Sequence, residues 1–354
     1  SLNGKTNQVI TMTAVTKVSG SYADLLNVYV TNAGQYNGEG DEAVTITGTV
    51  TATQADAIAD VTSGVVTAAS ITADTASALN SALSDAQVNA YTLTISAGSA
   101  VATDLTSLDS KTSVAVNAAA VTVITGSATE VAAAYAANPT TGITGLGNEN
   151  VEITGTTVAT LEELKAINNA TSGTITLNAQ SISADYSGLA ADVKAAFAGI
   201  TTQTGKITLT DASVSVTDIN TVAGVTSGEV TATVTSGAAS VLKALTTTST
   251  DAITMTVNAE AASAATAAGD LVSLNGNTNQ IITMTAVSSV SGSYADLLDI
   301  YVTNKTQYTG IGDETVTIVG TVSATQADAI ADATSGIVTA ASITADTASA
   351  LNAA

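Results

Sequence analysis

The chain has 354 residues and a net charge of -22, with 30 acidic residues set against eight basic ones, all of them lysine. Cys, His, Trp and Arg are absent; this excludes disulfides, zinc or copper sites of the usual kind, and Ser-His-Asp or cysteine nucleophiles. Such a polyanion has little with which to neutralise phosphates, and no apolar run approaches eighteen residues, so no nucleic-acid partner and no membrane insertion are expected.

In chain order, the first pattern is a helical stripe of Tyr22, Leu25, Leu26 and Tyr29. Six of the nine tyrosines, Tyr22, Tyr29 and Tyr36 with their counterparts Tyr294, Tyr301 and Tyr308, lie in this unit and its later copy. The stripe reads as core, with a carbohydrate platform or a subunit contact as the alternative. GEGDE follows at 38–42 and returns as GIGDE at 310–314. The Gly-x-Gly pattern predicts a tight turn before a strand. Asp41 and Glu42, and in the copy Asp313 and Glu314, are the metal-ligand candidates. Two carboxylates and several carbonyls supply about half of a calcium shell, so calcium is the only cofactor expectation.

From Val44 an alternating strand is predicted, with Val44 and Ile46 on one face and Thr45 and Thr47 on the other. A turn, a second extended piece, an Ala/Ile helix and the tripeptide TSG complete a unit at residue 64. Asp56 and Asp60 are spaced i, i+4 on that helix and read as a solvated face rather than an acid–base pair. The same order recurs at 151–173, 206–228 and 316–336. Ser127 with Glu130 and Thr160 with Glu163 have capping-box spacing. Leu161, Leu164 and Ile167 share one helix face. Gly64, Gly173, Gly228 and Gly336 are expected as helix C-terminal glycines. Further strands alternate apolar residues with threonine: Ile175 and Leu177, Ile207 and Leu209, and Ile253, Met255 and Val257.

Two periods underlie this order. Residues 1–82 align with 273–354 at an offset of 272, with 66 of 82 pairs identical. Inside that long repeat run units of about 21–35 residues, the mark of a stacked architecture. The fold class expected is therefore an α/β solenoid of strand-turn-helix coils. Its parallel sheet would be bare on one side and carry threonine ladders, and the whole would form an elongated rod. Residues 1–272 would make one full repeat of about eleven coils and 273–354 would start the next, with no globular boundary between them. A flat threonine face also admits ice binding as a minor alternative.

The segment SITADTASALN (70–80, repeated at 342–352) resembles the short Ile…Asp-Thr-Ala…Leu repeats of giant secreted bacterial proteins. These are adhesin-like or haemolysin-type calcium-binding-like, and include surface proteins of marine cyanobacteria. The resemblance implies an extracellular or cell-surface location and a non-catalytic role in adhesion or motility. Together, repeats and resemblance point to a structural segment of a rod, surface layer or filament. Self-association, divalent cations and surface polysaccharide are the partners expected. A calcium-dependent adhesin or ligand-binding module is the first competitor. A β-helix enzyme acting on polysaccharide is the second, and would need several acids in one groove.

Overall fold

The computed structural model describes residues 3–84, 87–137, 141–261 and 264–348. The end of the second TAASITADTASALN copy, residues 349–352, lies outside these. The chain divides into two compact units: residues 1–181 with 198–200, and residues 182–197 with 201–354. Both are α/β, with short parallel strands alternating with helices, and neither contains a closed barrel among the described residues.

In the first unit, Lys17–Ser21, Ala43–Thr47, Val66–Ala68 and Ala90–Tyr91 form one sheet in chain order. Gly98–Val101, Val121–Gly126, Asn150–Ile153 and Ile175–Thr176 form another. The second unit repeats the plan. Tyr186–Gly188, Ile207–Leu209, Val230–Thr233 and Ala252–Thr254 make one sheet, and Thr266–Ala267, Ser289–Gly292, Thr315–Val322 and Val338–Ile343 the other. All these pairings are parallel, and each strand's neighbour is the matching strand one sequence unit later. Val44 pairs with Val66, Ile207 with Val230, and Val316 with Val338. Parallel neighbours need a long return, and the helices supply it. Successive helices also pack on one another, as Ala102–Lys111 does on Ala128–Ala136 and that helix on Leu161–Ala170.

The helices start where the side chains dictate. Ser127 and Thr160 make the expected capping boxes with Glu130 and Glu163, and Thr51–Gln54 and Ser323–Gln326 make two more. Strand alternation is equally direct. Val44, Ile46, Ile207, Leu209, Val316 and Ile318 are buried, while Thr45, Thr47, Thr210 and Thr315 are exposed. Across coils the outward residues fall in register as Ser19–Thr45–Thr67 and Ser187–Thr208–Thr231. In these strands the apolar positions are buried and the alternating threonines are exposed or half-buried.

The TSG glycines do something other than end helices. The helix Ala52–Ala59 is closed by Asp60 and Leu161–Ala170 by Thr171, so Gly64 and Gly173 lie beyond both caps. A Cβ on Gly64 would fall 2.0 Å from the Glu42 carbonyl oxygen, one on Gly173 2.1 Å from that of Glu149, and one on Gly336 1.8 Å from that of Glu314. Glycine is required because the backbone of one coil rests directly on that of the preceding coil. The flanking residues lock the contact. The Thr171 hydroxyl donates to Glu149 O at 2.7 Å and accepts from the Gly173 amide at 3.0 Å. The Ser172 amide donates to Gly147 O at 2.9 Å. Thr62, Ser63 and Gly64 repeat these bonds on Glu42 and Gly40, and Thr226, Ser227 and Gly228 repeat them on Gly205 and Gln203.

At two places a buried side chain takes up a strand amide. The buried Asn89 accepts the Val66 amide, and the buried Asp251 accepts that of Val230. Asp56 also departs from expectation. It is buried, and both its oxygens accept from Ser84, one from the amide and one from the hydroxyl. Its copy Asp328 is exposed. The Asp56–Asp60 pair therefore does not form one solvated face, whereas Asp328 and Asp332 in the second copy are both exposed, as that spacing leads one to expect.

Gly173→Ala is expected to cost about 3 kcal/mol or more, since the added methyl meets fixed backbone. Gly155→Ala, at φ +83° with open space around it, should cost only about 1–2 kcal/mol of backbone strain. Urea unfolding of both variants measures the difference; equal losses would show that the close approach is not limiting. Replacing Thr208 and Thr210 by Val should leave stability within about 1 kcal/mol and promote aggregation, seen by light scattering, because Thr210 is exposed and Thr208 half-buried and the change adds apolar surface there.

Candidate functional site

The acidic turns are built around glycines with left-handed backbone. Gly38 and Gly40 have φ of 82° and 105°, and Gly310 and Gly312 have 74° and 111°. These conformations bend the chain sharply before the strands at Ala43 and Thr315. The bend turns the two acids different ways: Asp41 and Asp313 are exposed, and Glu42 and Glu314 are each 1% exposed.

The buried carboxylates are held from inside the fold. Glu42 Oε2 accepts from the Gly40 amide at 2.8 Å and from the Tyr29 hydroxyl at 3.2 Å. Glu314 Oε2 accepts from the Gly312 amide at 2.7 Å and from the Tyr301 hydroxyl at 3.3 Å. The tyrosine stripe is therefore core, as its spacing implies, and it adds a specific donor. Leu25, Tyr29 and Tyr301 are buried, and Tyr22 and Tyr36 are half-buried. The helix Tyr22–Leu26 widens into a π-helical turn at Asn27–Thr31, the turn that carries Tyr29. Burial, reinforced by the adjacent glutamate, pushes the phenols of Tyr29 and Tyr301 above their ordinary value. They stay neutral and serve as hydrogen-bond donors.

A third instance escaped the sequence reading. GLGNE at 145–149 has Gly145 and Gly147 at φ 85° and 140°, and a buried Glu149. Glu149 accepts from the Gly147 amide and from the Tyr135 hydroxyl at 3.2 Å. The signal was present as Gly-x-Gly-(Asp/Asn)-Glu with a tyrosine thirteen or fourteen residues earlier. Asn148 stands where the other two turns carry Asp41 and Asp313, so the glutamate and the tyrosine are the parts common to all three.

As ligand sets, the turns bring Asp41 beside Glu42 and Asp313 beside Glu314 in sequence only. Among the described residues no group of three or more carboxylates is placed to hold a metal ion. Glu42 Oε1 and Glu314 Oε1 are buried without a hydrogen-bond partner. Two surface hollows have one carboxylate each. One of about 290 Å³ lies beside Asp74 and Leu79, and one of about 160 Å³ among Thr226, Thr248 and Asp251. Asp251 is already engaged by the Val230 and Thr248 amides. Neither hollow pairs an acid with a base.

No family model, curated protein or solved structure matches the chain.

Glu42→Ala should destabilise the protein by about 2–4 kcal/mol, because it strands the buried Tyr29 hydroxyl and the Gly40 amide. Asp41→Asn should leave the melting temperature unchanged in calcium-free buffer. Calorimetry of both variants, with and without millimolar calcium, checks this. A calcium-induced rise in melting temperature that Asp41→Asn abolishes would assign the turn to a cation instead.

Proposed function

We propose that this chain is a non-catalytic structural segment, an α/β solenoid whose stacked coils form an elongated rod within a giant extracellular or cell-surface repeat protein. The observation that carries the reading is the recurrence of one coil-to-coil joint. The Thr-Ser-Gly contacts at 62–64, 171–173 and 226–228 each fasten a coil to the one before it. A chain joined this way is stabilised by nearest-neighbour terms and extends by adding coils. Its surface is polyanionic, which favours solubility and spacing over capture of anionic ligands. The resemblance of SITADTASALN to surface-protein repeats supplies the location and the role in adhesion, motility or coating.

Small-angle scattering tests the shape. A compact 354-residue globule has a radius of gyration of about 20 Å. A continuous stack should clearly exceed that value and give the scattering profile of a rod. A radius near 20 Å would overturn the reading.

A further inference from the structure

The helix Ala76–Ala82 packs against the helix Ala102–Lys111 of the following coil. Asp104, Ser107 and Lys111 are spaced i, i+3 and i+7 on the second helix, so they share one face. All three meet the same side chain of the first helix, Asn80. The Asn80 amide nitrogen donates to Asp104 Oδ1 at 2.8 Å. Asn80 Oδ1 accepts from the Ser107 hydroxyl at 2.8 Å and from Lys111 Nζ at 2.7 Å. Lys111 Nζ also donates to the backbone oxygens of Asn80, at 2.9 Å, and of Leu83. The four side chains are half-buried, and the buried Leu79, Leu83, Leu105 and Leu108 are interleaved with them in sequence.

Lysines elsewhere that reach the following helix are used differently. Lys194 pairs with Asp218 and Lys243 with Asp270, each as an ion pair. Lys111 is instead held against an amide. That amide carries a carboxylate on its nitrogen and a hydroxyl on its oxygen. These are the parts of an acyl-transfer site: a nucleophile, an acyl group, a proton carrier and an oxyanion donor. A C=O bond is about 1.2 Å long, which places Cγ of Asn80 within about 4 Å of Lys111 Nζ.

We propose that Lys111 and Asn80 join in an intramolecular amide bond that fastens one coil covalently to the next. The Lys111 ammonium first loses a proton to solvent. Nζ then attacks Cγ, and the Ser107 hydroxyl holds the negative charge that develops on Oδ1. Nζ and Nδ2 now sit on one carbon, beside one carboxylate. Asp104 takes a proton from Nζ and passes it to Nδ2; the Cγ–Nδ2 bond breaks and ammonia leaves. One amide replaces another, so the step needs no oxidant, reductant or second substrate. The link closes a loop between residues 31 apart, and a pull along the chain would bypass the residues inside it. It requires only that the two helices lie side by side, and it does not depend on the rod.

Intact-mass spectrometry of the denatured 354-residue chain reads the bond. The native protein should be lighter than its sequence by one ammonia, about 17 Da. Digestion before aspartates separates residue 80 from residue 111 in an unlinked chain, and should leave the two peptides joined here. Lys111→Arg keeps the charge without the amine nucleophile, and should have the full mass. Asp104→Asn keeps a polar side chain against the amide, and should form the bond at least about 100-fold more slowly. The joined peptides of the native protein decide the matter even where a variant fails to fold. A native chain of full mass after days of incubation, with the two peptides separate, would overturn the proposal; Lys111 would then only cap the end of the helix Ala76–Ala82. A loss of ammonia that persists in Lys111→Arg would overturn it as well, because cyclisation at an Asn-Gly pair such as Asn37-Gly38 removes the same mass without a branch. Bond formation at the native rate in Asp104→Asn would overturn the proton-transfer assignment.

Discussion

The close approach of backbone to backbone at each Thr-Ser-Gly is the constraint on which the rest depends. Glycine leaves room for the preceding carbonyl, at a distance that no side chain tolerates. Threonine supplies a hydroxyl that donates to the coil before it and accepts from the glycine amide of its own turn. Serine adds its amide to a second carbonyl. At Thr62, Thr171 and Thr226 the hydroxyl thus pairs one carbonyl and one amide; leaving such a group buried and unpaired costs about 1–3 kcal/mol. The joint also sets register: once three residues are fixed on the neighbouring coil, the following strand has one way to pair.

A thin core follows from this spacing. Coils held this close leave room for Ala, Val, Ile and Leu between sheet and helix, and the composition provides them. A few larger groups are accommodated as well. Tyr29 and Tyr301 sit on π-helical turns, and Phe197 meets Tyr186 edge-on with ring centroids 5.0 Å apart. The tyrosines then need an acceptor for their hydroxyls, and the Gly-x-Gly-(Asp/Asn)-Glu turn folds a glutamate inward to provide it. What reads in sequence as an acidic surface loop is half a core feature.

Much of the fold was legible because its signals are local. The alternation of Val44 and Ile46 with Thr45 and Thr47 fixes which strand face is buried. Thr160 followed by Glu163 announces a helix start that the structure places at Leu161. What failed was long-range. The role of Gly64 and Gly173 depends on a carbonyl more than twenty residues earlier, and no local rule separates such a glycine from a helix cap. Asp56 was read as solvated because the serine that binds it lies 28 residues away. The two acids of GEGDE look equivalent in sequence, and only the bend at Gly40 separates an exposed Asp41 from a buried Glu42.

Native-state hydrogen exchange at the serine amides tests the central claim most directly. Ser63, Ser172 and Ser335 are exposed, so their surroundings alone give no reason for protection. Each nevertheless donates its amide across the joint, to Gly40, Gly147 and Gly312 respectively. If the joint holds the stack together, these three amides exchange as slowly as those of the buried strands, through opening of whole coils. Exchange at the rate of an unstructured peptide would contradict the account, because the coils would then be held by their side chains and the Thr-Ser-Gly contact would be incidental.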